Sequence, residues 1–250
     1  MTARNGRWAA TAAALLLVLT GCAGDPPAPG FAVSYMYSEF ADLAEARFLQ
    51  DRKIPEEVAA DLNAYLALPH RVTVVALSCA GEGSAYFADQ HRIELCYDDL
   101  AEQREAFERA GSRNADEDVA ELVREILHHE AGHALRDALN LPDAGDRAEE
   151  DAADAFARLM LLRTGRPEGE ATLLTAARAY DLEAAADPTP DPTDEHAPPA
   201  TRAESHRCAT YGAAPSRHPD LATPSRAHCA ADWAATRDGW LNNLARLLRA

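Results

Sequence analysis

Three residues in the middle of the chain have the types and the spacing of a metal site. Residues 127–135 read Leu-His-His-Glu-Ala-Gly-His-Ala-Leu and contain His129, Glu130 and His133 in an HExxH pattern. Side chains four residues apart leave the same face of a helix, so both imidazoles can reach one metal ion at about 2.0–2.1 Å. Glu130 projects at an adjacent angle and can act as a general base on water without being a ligand. The alternative is two packed core histidines beside a surface glutamate.

An acidic run further along the chain supplies the third ligand that a catalytic zinc requires. Suppose that the helix after the turn at residues 142–145 packs antiparallel to the HExxH helix. Residue numbers then rise along one helix as they fall along the other, so that the two numbers of each facing pair have the same sum, and His133 lies opposite Glu150. We therefore predict that Glu150 is the third ligand, with Glu149 and Asp151 as the alternatives. A negatively charged first turn, favoured by the helix dipole, is a sufficient explanation for Glu149.

The same pairing places Asp154 opposite His129. Asp154 follows Glu150 by four residues and shares its helix face. We expect the Asp154 carboxylate to accept a hydrogen bond from a ligand histidine and so to fix the tautomer of that ring. Ala153 and Ala157 lie on this face too, and their small side chains permit a close approach of the two helices.

The other histidines and the tyrosines have weaker patterns. His128 points off the metal-facing side, so we expect it to be packed or at the surface. Tyr86 and Tyr211 are candidates for stabilising an oxyanion, although ordinary half-buried tyrosines explain them better. No role is assigned to the remaining histidines, which have no partner at ligand spacing: His70, His91, His196, His206, His218 and His228.

The number of cysteines is consistent with an exported protein. The chain has Cys22, Cys79, Cys96, Cys208 and Cys229, and removing Cys22 for lipid leaves an even four. The simplest pairing is local, Cys79 with Cys96 and Cys208 with Cys229, although four cysteines permit three pairings. A zinc site made by cysteines is the weaker alternative, because no CxxC spacing is present.

The first residues resemble the signal of a bacterial lipoprotein. Two arginines precede an apolar run at residues 8–19, which is too short to span a bilayer, and a Leu-Thr-Gly-Cys sequence ends at Cys22. We expect residues 1–21 to be a signal peptide and residues 22–30 a lipidated, proline-containing tether. The protein would then lie in the bacterial cell envelope, outside the cytoplasm and anchored to the membrane by lipid. An ordinary cleaved signal with an incidental cysteine is the alternative.

Composition excludes some classes of partner. The chain has 250 residues, a length that fits one large domain or two small ones, with 47 % hydrophobic and 26 % charged residues. Its formal net charge is −17, and Lys53 is the single lysine. An acidic surface repels phosphate backbones, so we expect no nucleic-acid partner and no polybasic attachment to anionic lipid.

The pattern of apolar residues predicts an α+β fold in which a small antiparallel sheet packs on helices, with the metal site between two antiparallel helices. Residues 187–199 are acidic and contain five prolines, which is typical of a mobile loop; a lid over a cleft is the alternative. Strands are predicted at 71–77, 84–88 and 92–96, and helices at 56–66, 98–110, 116–139, 146–162 and 171–185, with a further amphipathic helix near the C-terminus.

Two resemblances extend this interpretation. The HExxH motif followed by residues 150–154 resembles the gluzincin metallopeptidases, in which a downstream glutamate completes the zinc site. Segments across residues 31–247 resemble a bacterial family of "putative metallopeptidases", otherwise described as a domain of unknown function. The matching segments are 66–69, Cys79 with 85–86, 96–97, 129–135, 141–142, 145–156, Cys208 with 211–212, and Cys229 with Trp240. The sequence departs from the family at 79–80, at 84–85 and in the long insertion at 187–199, which concern the substrate side.

The resemblance implies a zincin-like metallopeptidase domain over residues 31–250, a zinc ion and hydrolysis of a peptide or protein substrate. In this hypothesis His129, His133 and Glu150 bind Zn²⁺, Glu130 is the general base, and a sheet edge at residues 84–88 aligns an extended peptide. Two other classes stay open. One is a lipoprotein whose metal site is structural or inactive, and the other is a surface module that binds a partner through residues 187–199.

Overall fold

The computed structural model describes residues 28–36, 38–189 and 191–249. The predicted signal peptide, Cys22 and most of the predicted tether therefore lie outside the described residues. The α helices are α1 Leu43–Arg52, α2 Ile54–Tyr65, α3 Tyr97–Arg109, α4 Ala115–Ala138, α5 Asp146–Leu162, α6 Pro167–Ala186, α7 Pro199–Ala213 and α8 Cys229–Leu244. The strands are β1 Gly30–Tyr35, β2 Arg71–Leu77, β3 Ala85–Phe87 and β4 Arg92–Cys96. The predicted α+β class is confirmed.

The sheet is mixed, so the predicted antiparallel sheet is wrong. Its strand order is β1-β2-β4-β3. β1 pairs parallel to β2, β2 pairs parallel to β4, and only the β3–β4 pair is antiparallel. Parallel neighbours need a long crossover connection, which α1 and α2 provide between β1 and β2. The three-residue strand β3 lies at the edge of the sheet.

Strand β1 was not predicted, because its pairing depends on residues far away in sequence. Gly30 to Tyr35 pair with the whole of β2. The side chain of Asn63 in α2 accepts the N–H of Phe31 at 2.8 Å and donates to its carbonyl at 2.7 Å. This amide satisfies backbone groups of β1 much as a neighbouring strand would, and no local pattern in residues 30–35 announces it.

Helix α4 is the centre of the helical layer. It contacts α2, α3, α5, α6 and the two strands β3 and β4. Its buried residues include Val119, Val123, Leu127, Ala131 and Leu135, which are at most 2 % exposed and belong to the main core. Because this helix is surrounded on nearly every side, the motif that it carries has a fixed position relative to the sheet.

Helices α4 and α5 run antiparallel and approach closely. Residue numbers rise along α4 as they fall along α5, so His129 contacts Asp154 and His133, one turn later, contacts Glu150. A Cβ atom added to Gly132 would lie 2.8 Å from the Cα of Ala153, closer than carbon atoms pack. The glycine inside the HExxH motif therefore allows the two backbones to touch.

Two disulfides, both local in sequence, brace the periphery. Cys79 is bonded to Cys96 and Cys208 to Cys229. The first joins the chain after β2 to the end of β4, beside the edge strand. The second joins α7 to the start of α8, where Gly212 leaves room for the carbonyl of Cys229.

The C-terminal helix packs against the metal-facing pair from outside. The indole N–H of Trp240 donates to the carbonyl of Ala152 at 3.2 Å, and its ring packs on Phe156. Trp233 and Trp240 are both buried, as the amphipathic pattern predicts. Within the described ranges, no helix has both the length and the apolar character needed to cross a bilayer.

Candidate metal centre

Three side chains on α4 and α5 bring donor atoms together. The Nε2 atoms of His129 and His133 lie 3.2 Å apart. Glu150 approaches both, with Oε2 at 3.0 Å from His129 Nε2 and Oε1 at 3.3 Å from His133 Nε2. One ligand atom from each residue lies within 4.8 Å of the other two. Two imidazoles and a carboxylate at this spacing could hold a metal ion, and they are the types of ligand that catalytic zinc sites use.

Asp154 fixes the orientation of the first histidine. Its Oδ1 lies 2.8 Å from His129 Nδ1, and both groups are buried. The carboxylate can only accept, so Nδ1 carries a proton, and Nε2 is the nitrogen that faces His133 and Glu150. Arg202 of α7 then donates to Asp154 at 2.7 and 3.0 Å. A chain of hydrogen bonds from Arg202 through Asp154 to His129 therefore links α7 to the ring that faces the candidate metal site.

The donor atoms fit a cation. Oε2 of Glu150 is buried and accepts no hydrogen bond of acceptable geometry, although two imidazole nitrogens lie within 3.0 Å of it. Burial lowers the pKa of His129, but contacts with Asp154 and Glu150 outweigh burial and raise that pKa to about 10. Without a metal, the neighbouring carboxylates thus stabilise the protonated form of His129. A divalent ion could replace that proton and bind the nitrogen and oxygen atoms that converge here.

Glu130 lies next to this centre but does not contribute to the converging atoms. It is 6 % exposed, and burial raises the pKa of its carboxyl above the usual value while the charges of His129 and His133 oppose that rise. A carboxylate with a raised pKa at the wall of a cleft has the properties of a general base. The position matches its predicted role, which its placement alone does not test.

Two clefts meet at these residues. The larger has a volume of about 560 Å³ and lies against β3, His133, Glu150 and the end of α4. The smaller has a volume of about 160 Å³ and extends towards α3 and α6. The residues that line both clefts are Ser84, His129, Glu130 and His196. Glu130 therefore lies where the two clefts meet.

His196 is in the site, although no role was assigned to it from the sequence. Its Nε2 lies 2.9 Å from Oε2 of Glu150, and its ring is stacked on that of His129 with centroids 5.8 Å apart. Arg202 was likewise not singled out. Their contacts join segments about 50 residues apart, so no local spacing reveals them; a lone histidine in an acidic proline-rich segment is the one available signal.

The two tyrosine candidates differ in position. Tyr86, on β3, lines the larger cleft and donates its hydroxyl to Asp137 at 2.7 Å. Burial and this bond raise the pKa of Tyr86 well above its usual value, so the hydroxyl stays protonated. Tyr211 is half-buried on α7 and lines neither cleft. The position of Tyr211 gives no support to an oxyanion role.

The other histidines have partners outside the centre. His128 directs Nδ1 to the carbonyl of Arg124 at 2.7 Å, away from the metal-facing atoms. The remaining contacts are His70 stacked on His91, His91 with Asp137, His206 with Glu125, His218 with Glu170 and His228 with Asp232. Besides the predicted centre, His70, His91 and Asp137 also bring one ligand atom each within 4.8 Å of one another, and the buried Nε2 of His70 has no hydrogen-bond partner in the described part of the chain.

Comparison with known proteins identifies the family. The sequence model of the family described as "Putative metallopeptidase" (DUF4344) matches residues 38–244, which include α4, α5 and both disulfides. No curated protein and no solved structure gives a significant match. The matched region covers most of the chain and contains the converged histidines and glutamate, and the chain therefore belongs to this metallopeptidase family.

Proposed function

We propose that the protein is a zinc-dependent peptidase of the HExxH, gluzincin-like type, with a zincin-like arrangement of sheet, motif helix and ligand helix. The observation that carries the proposal is the convergence of His129, His133 and Glu150 beside the buried carboxylate of Glu130, in a cleft open to an edge strand. A purely structural site has no use for a buried general base or for two adjoining clefts.

In this mechanism the residues have separate tasks. His129, His133 and Glu150 would hold Zn²⁺, which when bound would supply the Lewis acidity that lowers the pKa of water and polarises a carbonyl. Other divalent metals suit the same ligands. The Glu130 carboxylate accepts a proton from the attacking water and delivers it to the nitrogen of the leaving amine. Asp154, held by Arg202, keeps the His129 ring in the required tautomer.

The substrate that fits is an extended peptide. β3 pairs with β4 on one side and is the last strand of the described sheet, so a peptide added along its other edge would lie beside α4, which β3 contacts. Carboxylates line both clefts, including Glu149 and Glu195 in the larger and Asp99 and Glu183 in the smaller. We infer a preference for cationic side chains near the scissile bond, since an acidic wall attracts them.

Location in the cell envelope, with lipid on Cys22, is part of the proposal and rests on the sequence alone. Labelling with an alkynyl fatty acid should mark the wild-type protein and not a Cys22→Ala variant. Equal labelling of both proteins would contradict the proposed lipid anchor and would not bear on the proposed metal site.

Metal content is the first test of the function. The purified chain should contain about one zinc ion by elemental mass spectrometry, and His133→Ala should lose it, because two remaining ligands bind weakly. A peptide library should then show cleavage that a chelator stops and zinc restores. A chain that takes up no metal would have to be interpreted as a surface binding protein.

A further inference from the structure

The segment between α6 and α7 runs over the metal centre. Residues 191–198, which we call the strap, are mostly exposed, except that Ala197 is only 8 % exposed and His196 is half-buried. Its turns are held by local bonds, such as the N–H of Thr193 donating to Asp191 at 2.8 Å. The first five residues of the strap are therefore solvated, and its last three, His196 to Pro198, lie partly or fully against the domain.

Arg147, in the first turn of α5, fastens the strap. Its Nε donates to the carbonyl of Glu195 at 2.9 Å, and Nη2 donates to the carbonyls of Asp194, at 3.2 Å, and of His196. Three consecutive carbonyls on one guanidinium define the path of the backbone at these residues. Arg147 precedes the predicted ligand Glu150 by three residues, or about one turn of α5. The same short stretch of helix therefore positions both the strap and the predicted ligand.

His196 is the point where the strap meets the centre. Its Nε2 lies 2.9 Å from Glu150 Oε2, and its Nδ1 lies 3.3 Å from Asp194 Oδ1. Asp194 Oδ1 also accepts the backbone N–H of His196 at 2.8 Å. The imidazole is thus bracketed by a carboxylate of the strap on one side and the carboxylate of a metal-facing glutamate on the other.

His196 does not join the donor set itself. The atoms that converge within 4.8 Å of one another come from His129, His133 and Glu150. The contact of His196 is to Oε2 of Glu150, so any influence on the metal passes through that carboxylate. Contacts of this kind orient a ligand, and their loss typically costs about 10–100-fold in metal affinity.

We propose that the strap, latched by Arg147, is a built-in wall of the active site and that His196 is its positioning residue for Glu150. His196 lines both clefts, so the strap also limits how a peptide lies across Glu130. This inference rests on the proposed peptidase function only for its effect on substrate. Its effect on the metal stands on the ligand contacts alone.

The test compares matched variants of the full chain loaded with Zn²⁺. His196→Ala removes the contact to Glu150, His196→Gln keeps an N–H donor, and His228→Ala removes an exposed histidine far from the clefts. Arg147→Ala opens the latch, and Arg207→Ala removes an arginine that pairs with Asp181 elsewhere. The measurements are the rate of zinc release to EDTA, the visible spectrum of the Co²⁺-loaded protein, KM and kcat, and deuterium uptake of residues 191–198.

We expect His196→Ala to release zinc about tenfold faster or more, to change the Co²⁺ spectrum and to raise KM more than it lowers kcat. The glutamine variant should recover part of each effect, and His228→Ala should match the wild type. Arg147→Ala should raise deuterium uptake of the strap and accelerate zinc release less than His196→Ala, because its bonds are solvent-exposed.

Wild-type zinc release, spectrum and KM in His196→Ala would overturn the proposal. Unchanged deuterium uptake in Arg147→Ala would overturn the latch. If the wild-type chain cleaves no peptide but His196→Ala still releases zinc faster, the peptidase function fails and the positioning of Glu150 by the strap is supported.

Discussion

The two sides of the cleft are built differently. One side is the pair α4 and α5, with a backbone contact at Gly132 and with His129, Glu130 and Asp154 at most 6 % exposed. The other side consists of the three-residue strand β3 and the largely exposed strap. In the proposed peptidase, chemistry that needs sub-ångström placement of donor atoms would lie on the helices, and contact with a variable substrate would fall to the irregular side.

The comparison predicts that changes on the helical side act on the reaction itself. Glu130→Gln keeps shape and hydrogen bonding but removes the base, so hydrolysis should fall by about 10²–10⁴-fold while zinc content stays at the wild-type level. Peptide turnover and elemental analysis measure the two effects. Glu121→Gln, an acid on the same helix that pairs with Arg124 and lines neither cleft, is the control and should change turnover little. Full activity in Glu130→Gln would contradict the mechanism.

A change one step behind the ligands should act on metal affinity. Asp154→Asn removes the charge that orients His129 and neutralises Arg202, so zinc affinity should fall by about 10–100-fold. Competition with a fluorescent chelator measures it. Asp151→Asn, on the exposed face of the same helix, should bind zinc as the wild type does. Equal affinities for the two variants would show that the order Arg202, Asp154, His129 does not support the metal.

The close contact of the helices can be broken directly. Gly132→Ala places a methyl group 2.8 Å from the Cα of Ala153, and overpacking of this kind costs about 1–3 kcal/mol of unfolding free energy. Gly239→Ala, in α8 with open space around its Cβ, should instead stabilise by about 0.5–1 kcal/mol. Urea unfolding separates the two. Similar stabilities would mean that α4 and α5 have room to move apart.

Acidic residues that line a cleft but lie outside the α4–α5 pair should affect substrate preference rather than the reaction itself. Glu183→Gln removes a carboxylate from the smaller cleft, and the preference for cationic over neutral side chains should fall by about two- to fivefold, as for an exposed charge pair. Ratios of kcat/KM for paired peptides measure it. Asp181→Asn, on the same helix but outside the clefts, is the control. An unchanged ratio would remove Glu183 from the substrate site.

The sequence predicts the helical side much better than the irregular side. The spacing of His129 and His133 follows from helix geometry, and a two-helix hairpin with a short turn brings Glu150 and Asp154 opposite them. The parallel pairing of β1, the contact of His196 and the arginine behind Asp154 all join distant segments, and single-sequence periodicity carries no information about such pairs. The prediction of an antiparallel sheet was wrong for the same reason, because strand pairing joins distant segments.

Gly132 also sets the distance between the two helices that carry the converging side chains. Because its missing Cβ lets the backbone of Ala153 rest against α4, the separation of the two helix axes is determined by atoms that have no rotamers. That separation sets how far a side chain at position 150 must extend to reach His133, and the glutamate brings Oε1 to 3.3 Å from His133 Nε2. A glycine that offers no donor atom therefore helps to determine whether the proposed third ligand can reach the other two.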